Sequence, residues 1–315
     1  MVEQRNDSCG SLALRSRQGI SITLAGALLN LLLAGIKLAA GVFGNSRALV
    51  ADAVHSLSDL GSDLVVLGGL RLGARPEDRS HRYGHGKYET LAALVLGILL
   101  ALAGIAIGAS AVVSGMKMVK GEMPPSPGAL ALAAAGLSIL VKEGLYRWTR
   151  SVARRIGSTV VMANALHHRS DALSSVATLL GVSGAMLFGG DARILDPLAA
   201  LVVGGMIVYA AFGVLRRAVN ELLEGSVEPE TEVRILETVR GVPGARNPHQ
   251  LRSRRVGCRL VVDLHLEVDD GLSLRAAHEI SSRVEESLRN VFGDETIIYI
   301  HIEPSTETGE SGLLS

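Results

Sequence analysis

The chain has 315 residues, 48% of them hydrophobic, with a mean hydropathy of +0.34 and a formal net charge of zero. A zero net charge argues against nucleic acid as a partner, since nucleic-acid-binding domains carry basic patches. The 36 glycines suit helices packed closely in lipid, and Cys9 and Cys258 are too far apart in sequence to form a metal or disulfide motif. The composition therefore predicts a polytopic α-helical membrane protein that contacts the lipid bilayer.

Six apolar stretches follow a polar N-terminal segment, residues 1–19, and fall within residues 20–217. A membrane-spanning helix needs about 20 mostly apolar residues. The fourth stretch is short and ends in the charged Lys142 and Glu143. The six predicted spans are Ile20–Phe43, Ala48–Leu70, Leu91–Gly115, Ala129–Tyr146, Val160–Phe188 and Asp196–Leu215.

The basic residues between the spans predict the orientation of the chain, because cytoplasmic loops carry an excess of Lys and Arg. One side of the membrane has only Arg47, Lys117, Lys120 and Arg193. We therefore expect both termini to be cytoplasmic and the protein to be a multi-pass protein of the inner (plasma) membrane. The basic residues on the other, cytoplasmic side are Arg5, Arg15, Arg17, Arg71, Arg75, Arg79, Arg82, Lys87, Arg147, Arg150, Arg154, Arg155, Arg216 and Arg217.

Residues 218–305 have the composition of a soluble α+β domain, and the polar residues 306–315 are predicted to be a disordered tail. Alternating apolar residues predict strands, and a 3.6-residue apolar period predicts helices. Ser273 is a candidate N-cap for the second helix. The predicted elements, in the order helix, strand, strand, helix, strand, are Glu230–Arg240, His249–Arg255, Leu260–Val268, Ser273–Phe292 and Ile297–Glu303.

Two strings within the apolar stretches share the pattern His-x-x-x-Asp: His55 to Asp59 and His167 to Asp171. Residues four apart lie on one face of a helix, so each string presents one imidazole and one carboxylate to the same point. Ionisable groups inside a membrane are costly and mark functional sites. Two nitrogen and two oxygen ligands suit a tetrahedral Zn²⁺ site.

The alternative for these four residues is that they pair with Lys37 or with one another to hold helices together. Asp52 and Asp63 extend the same polar stripe along the second span, at three- and four-residue steps. His168 points about 100° away from His167 on the helix, which favours a packing role over metal ligation.

The remaining histidines form two further groups with acidic neighbours. Asp78, His81 and His85 lie in the loop after the second span and predict either a metal site at the cytoplasmic surface or a solvated basic loop. The residues of the C-terminal group are predicted to meet on a shared face of the sheet and to form a metal site. The alternative is that they are surface histidines of a small domain. Its members are His249, His265, His278, His301 and Glu303.

Three motifs resemble those of the cation diffusion facilitator family, and most closely its bacterial zinc/iron efflux branch. They are the strings Ala48–Asp59, His81–Glu89 and His167–Asp171. The resemblance implies a transport site of His55, Asp59, His167 and Asp171. It also implies a loop site of Asp78, His81 and His85, and a cytoplasmic metallochaperone-like domain whose site uses His249, His265, His278, His301 and Glu303.

The resemblance further implies a homodimer that exchanges divalent cations for protons by alternating access. Lys87 and Glu224 would form a charge interlock near the membrane surface, with Glu where the family usually has Asp. His55 replaces an Asp of the closest bacterial relatives, and Glu303 also replaces an Asp. The two-His, two-Asp quartet favours Zn²⁺.

The function predicted from the sequence is export of Zn²⁺ in exchange for protons, with a cytoplasmic domain that senses metal. The ligand set also permits Fe²⁺, Cd²⁺, Co²⁺ and Ni²⁺, whereas Mn²⁺ suits two imidazoles less well. The alternatives are a transporter dedicated to Fe²⁺, a metal-gated passive channel, and a metal-sensing receptor without transport. An intramembrane metalloprotease is disfavoured because the sequence contains no His-Glu-x-x-His string, and no enzymatic activity is predicted.

Overall fold

The computed structural model describes residues 12–43, 47–119, 129–188 and 195–305. They form two compact units, one of residues 13–222 and one that contains residues 223–305. The first unit consists of long helices: α1 (Leu12–Phe43), α2 (Arg47–Gly73), α3 (Lys87–Val119), α4 (Ala129–Ile156), α5 (Thr159–Phe188) and α6 (Leu195–Leu222). The second has the order α7 (Pro229–Arg240), β1 (Arg246–Val256), β2 (Arg259–Asp269), α8 (Leu274–Phe292) and β3 (Ile297–Ser305).

Each predicted span lies within one helix of the first unit. Among the described residues, three helical segments are long and apolar enough to cross a membrane: Leu14–Ala39, Lys87–Lys117 and Ala200–Leu222. They belong to α1, α3 and α6. The helices α2, α4 and α5 have 27, 28 and 30 residues and carry the charged and imidazole groups of the predicted transport site or its surroundings.

The helices α3 and α6 pack with their backbones in close contact. A Cβ atom on Gly204 would lie 2.8 Å from the carbonyl oxygen of Gly104, and one on Gly104 would lie 3.0 Å from that of Gly204. A larger residue at either position would force the two backbones apart. Small residues at helix crossings are typical of membrane bundles, where close van der Waals packing holds helices together.

The helices extend beyond the apolar stretches at their polar ends. The helix α1 begins at Leu12 rather than at the predicted Ile20, which brings Arg15 into the bundle. Arg15 donates from Nη1 and Nη2 to the two carboxylate oxygens of Glu89 on α3, at 2.8 and 2.9 Å. It also donates from Nε to the carbonyl of Ile156, and Ser158 donates to Glu89. This buried cluster ties α1, α3 and the α4–α5 connection together.

The second unit is a three-stranded sheet covered on one face by two helices. The strand order is β1-β2-β3, with β1 and β2 antiparallel and β2 and β3 parallel. Apolar residues of β2 such as Leu264 and Leu266 face the helices, where they pack with Ile235 of α7 and Val284 and Leu288 of α8. The other face of the sheet carries the polar residues of the alternating pattern.

The predicted order of helices and strands in this unit is confirmed, with small differences at the ends. Ser273 is the N-cap of α8, and its side chain accepts a hydrogen bond from the backbone N–H of Ala276. The strand β3 continues through Pro304 to Ser305, and the predicted tail, 306–315, lies outside the described residues.

Strand β1 begins three residues before the predicted start at His249 and is irregular there. The antiparallel pairing with β2 shifts register on both sides of His249, and Asn247 and Gln250 have φ of 38° and 47°. Such bulges break the alternation of side chains between the two faces. This is why the start of β1 could not be predicted from the sequence pattern.

The parallel pairing of β2 with β3 is regular over its whole length. It runs from Val261 opposite Ile297 to Asp269 opposite Ser305 without a shift. His265 therefore lies directly opposite His301, on the face of the sheet that the helices leave uncovered.

Candidate cation-binding sites

The helices α2 and α5 bring three of the four predicted transport-site residues together. His167 Nε2 lies 3.5 Å from Asp59 Oδ1 and 3.9 Å from Asp171 Oδ2. One ligand atom from each of these residues lies within 4.8 Å of the others, and Asp59 is only 4% exposed. The side chain of His55 lies outside the part of the chain that the structure describes. The arrangement of the other three offers one imidazole nitrogen and two carboxylate oxygens to a single cation.

Lys142 of α4 lies between the two carboxylates of this cluster. Its Nζ atom donates to Asp59 Oδ2 at 2.7 Å and to Asp171 Oδ2 at 2.6 Å, and the residue is 3% exposed. The sequence pattern assigned Lys142 to the end of the fourth span. The helix α4 instead continues to Ile156, which places Lys142 in its middle.

The carboxylates thus pair with a lysine, as the alternative to metal binding requires, but with Lys142 rather than Lys37. Lys37 of α1 donates from Nζ to Ser56 Oγ at 3.2 Å. The signal that points to Lys142 in the sequence is an ionisable residue next to a long apolar stretch, and such residues are functional by default when they lie inside a membrane.

A second polar layer lies one helical turn from the cluster. Asn164 of α5 donates from Nδ2 to Asp63 Oδ1 of α2 at 3.0 Å, and Asp63 is 2% exposed. His168 is 1% exposed, and among the described residues neither of its ring nitrogens has a hydrogen-bond partner. Its burial agrees with the packing role predicted for it.

The loop between α2 and α3 brings Asp78, His81 and His85 together. Their ligand atoms lie within 4.8 Å of one another, and His85 Nε2 lies 3.3 Å from Asp78 Oδ2. The Nδ1–H of His85 donates to the carbonyl of Pro76 at 3.0 Å, which leaves Nε2 as the atom available to a metal. A hydrogen bond from the hydroxyl of Ser80, followed by that from the backbone N–H of His81, lowers the pKa of Asp78 to about 2.

The uncovered face of the sheet brings together four of the five residues of the predicted cytoplasmic site. Glu303 lies at the centre of the group, because its carboxylate is 2.8 Å from His265 Nδ1, 3.3 Å from His249 Nε2 and 3.7 Å from His301 Nε2. The hydrogen bond from His265 is the main cause of a lowered pKa for Glu303. His249 donates from Nδ1 to the carbonyl of Asn247 at 2.9 Å, so that Nε2 is again the free ligand atom.

His278 is the predicted member that lies outside this group. It is exposed on α8, whose buried residues Ala277 and Ile280 pack on the opposite face of the sheet.

The predicted charge interlock joins residues of different units. Glu224 belongs to the second unit, where its carboxylate forms an ion pair with Arg254 Nε at 2.7 Å. Lys87 is the first residue of α3 in the first unit. The pairing of Lys87 with Glu224 stays a prediction.

Comparison with known proteins accounts for both units of the chain. Residues 23–223 match the cation efflux transmembrane domain, and residues 227–305 match the cytoplasmic domain of cation efflux proteins. Metal tolerance protein 2 of Oryza sativa subsp. japonica is 38% identical over 288 residues, which are 84% of this chain and 73% of that protein. The cation-efflux pump FieF of Escherichia coli O1:K1 is 32% identical over 310 residues, or 98% of both chains.

Two further proteins are similar to this chain, one over most of its length and one over about a quarter of it. The manganese efflux system protein MneP of Bacillus subtilis is 29% identical over 91% of this chain and 96% of its own. The metal-bound C-terminal domain of the CzcD transporter from Thermotoga maritima is 28% identical, covers 26% of this chain and 99% of its own, and has a TM-score of 0.23. Together the two domain matches and the near full-length relatives establish that the chain is a multi-pass membrane transporter of the cation diffusion facilitator (cation efflux) family.

Proposed function

We propose that the protein exports Zn²⁺ from the cytoplasm in exchange for protons, by alternating access. The observation that carries the proposal is the meeting of Asp59, His167 and Asp171 at one buried point between α2 and α5. Imidazole nitrogen and carboxylate oxygen are ligands of Zn²⁺, and His55 would complete a tetrahedral set. The membrane supplies no water to solvate these groups, so a cation that binds them replaces the missing solvation.

Proton coupling follows from the chemistry of the ligands. Imidazole and carboxylate bind metal only in their deprotonated forms, so binding of the cation on the cytoplasmic side releases protons. The ordinary pKa of His is about 6.5, within reach of modest pH differences across a membrane. Protons from the outer side would therefore displace the cation after the carrier has reoriented.

The identity of the metal is argued from ligand type. Two imidazoles favour Zn²⁺ over Mn²⁺, and they also accept Fe²⁺, Cd²⁺, Co²⁺ and Ni²⁺. The second candidate is a transporter dedicated to Fe²⁺, and the name of the relative MneP adds Mn²⁺ to the cations that need testing. Uptake of radioactive Zn²⁺ into proteoliposomes in competition with Fe²⁺ and Mn²⁺ ranks the three.

The carboxylates of the membrane site provide the decisive test. Asp59→Asn and Asp171→Asn each remove an anionic ligand and should abolish Zn²⁺ uptake into proteoliposomes driven by a pH gradient. Glu143→Gln is the matched control, because Glu143 pairs with Arg147 on the outer surface of α4 at 2.8 Å and should leave uptake intact. Normal uptake by either Asp variant would refute the assignment of the site.

The same preparation separates an antiporter from a passive metal-gated channel. Antiport is saturable, is driven by an imposed pH gradient and moves protons opposite to Zn²⁺. A channel would conduct Zn²⁺ down its own gradient whether or not the pH differs across the membrane.

The second unit is proposed to sense cytoplasmic metal and to stabilise a homodimer. The group around Glu303, together with the loop group of Asp78, His81 and His85, provides ligands outside the membrane-spanning helices. The match to the cytoplasmic domain of cation efflux proteins supports the dimer. The proposed location is the inner (plasma) membrane, with both termini and the second unit in the cytoplasm.

A further inference from the structure

The geometry points to a role for Lys142 in the transport cycle itself. We propose that the ammonium of Lys142 and the transported cation occupy the same place between Asp59 and Asp171 in turn. Lys142 would then act as an internal counter-cation that the substrate must displace. The inference rests on the proposed transport site and adds a residue that the four-ligand site does not contain.

The contacts of Lys142 make the two cations mutually exclusive. Its Nζ atom donates to the Oδ2 atom of each carboxylate, at 2.7 Å and 2.6 Å. Asp171 Oδ2 is also the oxygen that lies 3.9 Å from His167 Nε2 in the proposed site, and a Zn²⁺ ion bound to it would lie about 2.0–2.2 Å away. Two positive centres so close together in a poorly solvated interior repel each other strongly. The ammonium must therefore leave when the ion enters.

The lysine side chain is suited to such an exchange. Its ammonium is a compact point charge on a flexible four-carbon stem, so it can withdraw without movement of the α4 backbone. The carboxylates come from α2 and α5, whereas Lys142 comes from α4. The ligands of the substrate and the residue that competes with it thus belong to different helices.

The benefit for transport lies in the cation-free half of the cycle. Two adjacent carboxylates at membrane depth carry a large electrostatic penalty unless a positive charge compensates them. Lys142 supplies that charge whenever the substrate has left. The cation-free carrier can then return to the cytoplasmic side with one carboxylate charge already neutralised. The same competition lowers the affinity of the site for the substrate.

A purely structural ion pair makes the opposite prediction for binding. If Lys142 only holds α4 to its neighbours, its removal should disturb the site and weaken Zn²⁺ binding or leave it unchanged. If Lys142 competes with Zn²⁺, its removal should tighten binding. The sign of the change in the dissociation constant therefore distinguishes the two roles.

The experiment compares the full-length protein with two Lys142 variants and one control. Zn²⁺ binding is measured as the part that Asp59→Asn abolishes, which isolates the membrane site from the loop and cytoplasmic groups. Lys142→Met keeps the approximate length of the side chain but removes its charge. It should lower the dissociation constant for Zn²⁺ about tenfold or more, since no ammonium then repels the bound ion. Arg147→Met removes one positive charge from the outer surface of the same helix and should leave the constant unchanged.

Lys142→Arg tests the competition from the other direction. The guanidinium is always charged and can bind both carboxylates through several donors, so it should compete better and raise the dissociation constant. If the ion pair has only a structural role, any positive charge should suffice, and Lys142→Arg should bind Zn²⁺ with near wild-type affinity. This variant keeps the inference testable even if Lys142→Met does not fold.

Flux measurements provide a second readout. In proteoliposomes, Lys142→Met should reduce net Zn²⁺ uptake while the exchange of radioactive for unlabelled Zn²⁺ persists, because only net transport requires the cation-free return. Unchanged or weaker binding in a monodisperse Lys142→Met protein would overturn the inference. Total Zn²⁺ binding that Asp59→Asn leaves undiminished in the wild-type background would instead overturn the proposed transport site.

Discussion

At the scale of single residues, Glu303 organises the cytoplasmic group. Its carboxylate approaches the imidazoles of His249, His265 and His301, and the hydrogen bond from His265 lowers its pKa. The ionised form is therefore stabilised in the folded unit. This stabilisation is complete above the ordinary pKa of a glutamate, about 4.3, and is lost as the pH falls through the lowered value. Down to that lowered value Glu303 remains an anionic ligand.

Glu303→Gln should weaken Zn²⁺ binding to the cytoplasmic group by at least about tenfold, since it removes the anion that three imidazoles share. The measurement is calorimetric titration of the full-length protein with Asp59→Asn in the background. Glu285→Gln, on α8 and paired with Arg289 at 3.3 Å, is the control and should bind as before. Equal affinity of the Glu303 and Glu285 variants would remove Glu303 from the ligand set.

The residues of the membrane site differ in how well the sequence predicts them. His167 and Asp171 could be paired because a four-residue spacing fixes them on one face of any helix. Lys142 could not be placed, because a lysine near the end of an apolar stretch usually extends its ammonium to the membrane surface. Only the packing of α4 against its neighbours decides that this ammonium points inward, and no local pattern encodes that packing.

At the scale of elements, the buried cluster of Arg15 and Glu89 determines where α1, α3 and the α4–α5 connection meet. The guanidinium and the carboxylate form two parallel hydrogen bonds, with side chains 7% and 5% exposed. Hydropathy finds only the lipid-facing part of a helix, so α1 was predicted to begin after Arg15. A helix can extend beyond its apolar stretch as long as its polar groups find hydrogen-bond partners. The Arg15–Glu89 cluster supplies such partners for the start of α1.

Glu89→Gln should lower the free energy of unfolding by about 3–5 kcal/mol, because it leaves the charge of Arg15 buried without its partner. Thermal unfolding of the purified protein in detergent reports the loss as a lower midpoint temperature. The double variant Arg15→Met with Glu89→Met removes both charges and should recover most of the stability. A double variant as unstable as Glu89→Gln would show that the ion pair itself stabilises the fold.

At the scale of the whole molecule, the two units are specified by different sequence patterns. Continuous apolar stretches predict the helices of the first unit. In the second unit, alternation predicts β2 and β3, and a 3.6-residue apolar period predicts α8, each to within two residues. The orientation in the membrane rests on the excess of Arg and Lys in alternate loops. That excess predicts that the turn between β1 and β2, with its partly exposed Cys258, lies in the cytoplasm.

Cys258 allows this orientation to be tested in the full-length chain. After Cys9→Ser, it is the one remaining cysteine of the sequence. A membrane-impermeant maleimide should label it in inside-out vesicles and leave it unlabelled in right-side-out vesicles. Additional substitution of Cys258 by Ser should abolish the signal. Labelling in right-side-out vesicles would invert the topology.

The unbroken parallel pairing of β2 with β3 has a consequence for how this protein can change during evolution. His301 meets His265, and Glu303 meets Glu267, because the segment between the strands, 270–296, has one particular length. One added residue that shifted β3 would turn His301 and Glu303 toward the apolar core, since neighbouring side chains in a strand point to opposite faces. Point substitutions on the outer surface of α8 leave this alignment intact. An insertion or deletion in this segment preserves the site only if the short loops at the two ends of α8 absorb it without shifting β3.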